Sequence, residues 1–148
     1  MTCWRNGSEQ RAPLYNLQCS PQSPLVGPGL GPDLPGFRGL IAARALLFMS
    51  FKHHGGTYPC ALVTWFSPIG DEPCPDVGMW MVEPDVDNRG QRVMDVIHID
   101  TILRAAHLIG IYGHHSVPRH FKYSDSLDSF KAFYINKYAD HHAHEIAF

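Results

Sequence analysis

Apolar residues along this chain come in short runs broken by Gly, Pro and Asn, which predicts strands rather than long helices. Leu40 to His53 (LIAARALLFMSFKH) mixes two signals. Its Ala and Leu favour a helix, whereas Phe48, Ser50 and Lys52 alternate with Met49, Phe51 and His53 as a strand does; its second half is read as a strand. His54-Gly55-Gly56 makes a tight turn into Thr57 to Phe66 (TYPCALVTWF), a second β-rich run, so the two form a hairpin. Ser67 to Val77 is a loop rich in Pro and acidic residues. Gly78 to Val82 (GMWMV) is a short strand ended by Pro84, and Asp85 to Gly90 is a turn. Val93 to Ile99 (VMDVIHI) alternates like a strand covered on both faces, and Ile102 to Tyr112 continues as a bent strand up to a turn over Gly113 to Pro118.

The period changes near the end. Ser126-Leu127-Asp128-Ser129 offers an N-terminal helix cap. Leu127, Phe130, Tyr134 and Tyr138 then recur at three- and four-residue spacing, widened by Phe133, which predicts a helix from Leu127 into Ala139. Residues 1–38 differ in kind: six prolines from Pro13 to Pro35 interleave with Gly27, Gly29, Gly31 and Gly36, and neither residue type supports a regular element there. The expected organisation is a disordered or loosely attached arm over 1–38 and one domain over 39–148. That domain is mainly β with an α+β finish: a small β-barrel or a strongly bent antiparallel sheet, packed by a C-terminal helix.

Charge narrows the partners. Lys and Arg number 12 against 14 Asp and Glu, a net charge of -2, so whole-chain charge gives no support for DNA binding, which draws on an excess of cations. No apolar run approaches a membrane span, and the start lacks the apolar stretch of a signal peptide. The four Cys (3, 19, 60 and 74) form no C-x-x-C pair, which fits a reduced, intracellular protein without a membrane partner.

The candidate chemistry is sparse. In Asp140-His141-His142-Ala143-His144-Glu145, a helix would bring His141 onto one face with His144 or Glu145, a spacing able to hold Zn or Ni. The bland alternative is a helix end whose imidazoles face the C-terminal dipole. His53-His54 and His114-His115 sit in predicted turns and could join a composite site. Asp71, Glu72, Asp76, Asp85 and Asp87 lie in loops, where solvated charge is the ordinary state. Gly27-Pro28-Gly29-Leu30-Gly31-Pro32 imitates a phosphate loop, yet its prolines remove the amides that such a loop needs. Cys60 reads as a core thiol. Trp65, Trp80, Tyr58 and Tyr112 could line an aromatic cage, or simply pack. No nucleophile elbow, P-loop or dinucleotide fingerprint is present.

From Ala43 onward the chain resembles a segment near the C-terminus of proteins encoded by Plavaka-type, CACTA-like DNA transposons of mushroom-forming fungi. The residues carrying the likeness are Phe51-Lys52-His53, Tyr58-Pro59-Cys60-Ala61-Leu62-Val63 with Trp65-Phe66, and Asp76-Val77-Gly78-Met79-Trp80-Met81-Val82. Val96-Ile97-His98-Ile99-Asp100-Thr101-Ile102 and Arg104-Ala105-Ala106-His107-Leu108-Ile109 follow, ahead of Tyr112-Gly113. The close is Ser126-Leu127-Asp128-Ser129-Phe130 and Phe133 through Glu145. The resemblance implies a region downstream of the nuclease core; none of the chain's acidic residues matches the nuclease carboxylates, so no catalytic residue is carried over. Ile97 to Ile109 also looks like the last strands of barrels of the bromo-adjacent homology kind, which are interaction modules.

The reading that follows is a non-catalytic accessory domain, with a protein partner or self-association and no cofactor, nuclear if it accompanies a transposase. Two alternatives stand beside it. One is a Zn-binding protein using His141, His144 and Glu145. The other is a nucleic-acid module using Arg104, Arg119, Lys122, Lys131 and Lys137.

Overall fold

His54 and Gly55 both have positive φ, 47° and 79°, the geometry of a two-residue hairpin turn whose twist matches that of its strands. His53 pairs with Gly56 across that turn, and two strands of thirteen residues run back from it, β2 (Ile41–His53) and β3 (Gly56–Pro68). The computed structural model describes residues 15–19, 40–113, 116–117, 119–122 and 125–140. Around the hairpin stand β1 (Tyr15–Cys19), β4 (Met81–Pro84), β5 (Met94–His98), β6 (Ile102–Ala106), β7 (Leu108–Gly110) and β8 (Phe133–Ile135). A 3-10 turn over Ile99–Thr101 joins β5 to β6, and one helical turn, α1 (Ser126–Ser129), precedes β8.

Among the described residues every pairing is antiparallel, in the order β6-β1-β2-β3-β4-β8-β7, with β5 also on β3. β3 is long enough to serve two partners on one edge: Cys60–Thr64 pair with β5 and Phe66–Pro68 with β4. The fold is therefore mainly β with a strongly bent sheet, and the barrel alternative is corrected. The path of paired strands begins at β6 and ends at β7 without returning on itself. These two ends are halves of one bent strand broken at His107, the first half laddered to β1 and the second to β8, so among the described residues no continuous ladder runs round the sheet.

Two hydrophobic cores form on opposite faces of the β2–β3 hairpin, since neighbouring positions in a strand point to opposite sides. Ala42 and Phe66 are cross-strand partners and belong to the first core, with Trp80, Val82, Leu108, Leu127, Phe133 and Ile135. Ala43, Ala45, Ala61, Val63 and Ile97 form the second, with Trp65 and Ile102 packed against it. Phe66 and Phe133 meet edge to face at 5.7 Å, and Phe130 continues the aromatic row to Phe133, Phe121 and Tyr112. The first half of β2, ambiguous in sequence, is strand because both its faces are covered. Ala42 and Ala43 are both fully buried, and small side chains let a layer close on either side. Between Ala45 and Leu47 the register with β3 shifts by one residue, a bulge at Leu46.

The C-terminal helix is corrected. Helix is confined to Ser126–Ser129, Phe130 is already extended, and Phe133–Ile135 is a strand between β4 and β7. Phe133 and Ile135 are buried with Tyr134 turned the other way, a period of two that aromatic and β-branched residues favour. Ser126 opens the helical turn rather than capping it. Tyr15–Cys19, within the stretch read as an irregular arm, pair with β2 and β6; the rest of that arm lies outside the described residues. Among the described residues no helix is long and apolar enough to cross a membrane.

Candidate functional site

The first core stops at a charged border. Arg44 pairs with Thr64 across the hairpin, and its guanidinium lies 2.6 Å from Asp128 of α1. Arg92 donates to the Leu127 carbonyl at 3.0 Å and sits over the Phe66 ring, 5.7 Å from its centre. Burial holds the Arg92 guanidinium below its ordinary pKa; Asp128 opposes that shift and Arg44 adds to it. Asp128, near both arginines, clamps α1 to the sheet.

Beyond this border the same face of the sheet continues without a covering layer among the described residues. Its rows follow from the register. Thr64 lies beside Met94; Leu47, Leu62 and Val96 form the next row; Met49, Cys60 and His98 the third; Phe51 and Tyr58 the last. The Phe51 and Tyr58 rings stack at 5.3 Å with planes 18° apart. Large apolar side chains here stay open to solvent: Met94 is 62% exposed, Leu47 46%, Phe51 42% and Tyr58 40%. Cys60 is buried beneath them, its Sγ donating to the Tyr58 carbonyl at 3.6 Å, the core thiol that its sequence setting predicts. Val93 to Ile99 was expected to be covered on both faces; β5 is covered only on the face that carries Ile97.

This surface went unread in the sequence. The signal was the missing polar face: Leu47, Met49 and Phe51 are apolar and their neighbours Phe48, Ser50 and Lys52 only partly polar. Such a run fits a doubly covered strand as well as a half-open one.

The other candidates disperse. His141, His144 and Glu145, and also His114 and His115, lie outside the described residues. Among the described residues no three of His, Cys, Asp and Glu gather closely enough to hold a metal. His53 and His54 touch edge to face at the hairpin tip, 4.0 Å between rings. Asp87 is a turn builder, its Oδ1 accepting from the Arg89 and Gln91 amides at 2.8 Å each. Asp71, Glu72 and Asp76 are exposed. Trp80 is in the first core and Trp65 against the second, on opposite faces. Tyr58 stacks on Phe51 and Tyr112 meets Phe130 edge to face, so these four rings form no cage. Arg104 is bridged to Asp140, which removes it from a free basic patch. Cys74 Sγ meets Tyr134 Oη at 3.8 Å; that hydrogen bond, then burial, raises the Tyr134 phenol above its ordinary pKa. A shallow depression lined by Arg104, His107, Ile135, Asn136 and Ala139 is too small for an organic substrate.

Comparisons with protein families, with curated proteins and with solved structures find no match.

Proposed function

We propose that this chain is a non-catalytic docking domain, derived from a DNA-transposon-encoded protein and acting inside the cell through the open face of β2, β3 and β5. One observation carries the reading: four large apolar side chains, Leu47, Phe51, Tyr58 and Met94, stand exposed on one continuous sheet face. Contiguous apolar surface of this kind marks interaction sites, and these four side chains bring with them none of the convergent polar groups that a small-molecule site uses. The ordered likeness to the transposon-encoded segment supports the origin, and a transposase partner would place the protein in the nucleus.

A photo-crosslinking residue at position 51 tests the docking role against the same residue at Asn88, in the exposed turn. Adducts are expected from position 51 and not from position 88. Equal adducts from both positions, or none from either, would sink the reading. So would hydrolysis of DNA with Mg2+ or Mn2+ that disappears on changing one Asp.

A further inference from the structure

We infer that the occupant of the open face is a second copy of this chain, so that two copies pair β2–β3–β5 faces about a two-fold axis. This rests on the docking reading above and names its partner. Two properties of the face favour a second copy over other occupants, and a third sets how tightly the copies hold.

The first is charge. The rows from Leu47 to Phe51 and from Tyr58 to Leu62 contain no Lys, Arg, Asp or Glu, because Lys52 pairs with Thr57 on the opposite face. Across these rows two copies meet without like charges opposed. The nearest basic groups on the same face are Arg44, in the Thr64 row and held by Asp128, and His98, 3.4 Å from Asp100, so a nucleic acid meets only basic groups that already have carboxylate neighbours.

The second is complementarity of the two ends. The stacked Phe51–Tyr58 pair lies at one end and Met94 at the other, with Leu62 and Cys60 between them. A two-fold axis near the middle sets the aromatic pair of one copy on Met94 of the next, a contact in which a thioether favours an aromatic ring. Self-complementary patches of this sort give closed dimers, and two antiparallel sheets pack face to face with strands within about 30°.

The third is area. Large side chains present roughly 150–250 Å² each, so the exposures of these four residues, with the half-buried Met49, Leu62 and Val96, leave about 450 Å² per copy. The pair then buries on the order of 900 Å², below the ~1,200–2,000 Å² of stable specific complexes. The dimer is accordingly one that forms and dissociates with concentration.

Sedimentation of the full chain from about 1 to 300 µM, the range over which a micromolar self-association is read, should show the average mass climbing toward that of a dimer. Met94→Lys and Tyr58→Glu should each weaken association at least ~10-fold; the melting temperature of the dilute chain should be unchanged for Met94→Lys, at a 62% exposed position, and lowered for Tyr58→Glu, which also loses the stack on Phe51. Ser50→Lys, on the opposite face, should leave association intact. Mixing Met94→Lys chains with Tyr58→Glu chains should restore it, since the two-fold axis brings those positions together. This last outcome separates the proposed pairing from any loss caused by misfolding. A wild-type monomer throughout the range, or a dimer indifferent to both face variants, overturns the proposal. If such a monomer still yields adducts with other macromolecules from position 51, the docking reading survives alone; if it yields none, both fall.

Discussion

Gly110 occupies a place where no side chain fits. A Cβ built there would run into three carbons of the Phe130 ring, which closes the first core from the edge. Gly110→Ala is expected to destabilise by about 1–3 kcal/mol, the usual penalty of overpacking, read as a lowered denaturation midpoint; an unchanged midpoint would mean that the ring has room to move. Tyr134 makes a prediction in pH. Its phenol is raised in the folded chain, chiefly by the hydrogen bond with Cys74 and then by burial. A raised pKa means that the folded state holds the proton more tightly than the unfolded chain, which releases it near pH ~10. The associated stability is present in full below that pH and is lost as pH climbs through the folded value. Tyr134→Phe should therefore flatten the alkaline decline of stability, and an identical decline in both proteins would show that another group causes it.

Among the elements, the β2–β3 hairpin was legible because its turn chemistry is local: His54 and Gly55 adopt the positive φ that the tight turn requires. Gly55→Ala is expected to cost about 1 kcal/mol there, measured by thermal or denaturant unfolding. The bent strand from Ile102 was legible too, and it emerges as β6 and β7 on either side of His107. The last segment was misread for a physical reason. Leu127, Phe130 and Phe133 all face the first core, and spacings of three suit a helix; Ile135, two residues beyond Phe133, is the position that reveals a strand. What decides between them is hydrogen bonding to β4 and β7, which local sequence does not contain. The single turn that survives, α1, is held by Asp128 on Arg44. Because that carboxylate is largely exposed, Asp128→Asn should cost only about 0.5–1 kcal/mol at low salt, and less at high salt; a salt-independent loss would point to packing instead. The open face was illegible for the converse reason: alternation tells which residues share a side, not whether another layer lies over that side.

At the scale of the whole molecule, two cores share one pair of strands. Trp80 belongs to the first core and Trp65 packs on the second, so in a Trp4→Phe background, which removes the third tryptophan, Trp65→Phe and Trp80→Phe variants each leave one fluorescent reporter in the other core. Since β2 and β3 run through both cores, neither can come apart without releasing strands of the other. Fluorescence of either variant and far-UV circular dichroism should then trace coincident transitions. Separate midpoints within one variant would show that the cores unfold independently.

The bulge at Leu46 has a consequence for what this surface can become. Ala45 and Leu47 are both odd-numbered, yet the register shift between them turns Ala45 toward the second core and Leu47 toward solvent. Were the bulge lost with Leu46 kept, Leu46 would pair with Leu62 and each later residue of β2 would slip by one position against β3. Leu47, Met49 and Phe51 would then rotate to the far side, and Leu46, Phe48, Ser50 and Lys52 would take their place. A slip of one residue, with no change of composition, would exchange an oily signature for a mixed, positively charged one, so the bulge itself holds what the domain recognises.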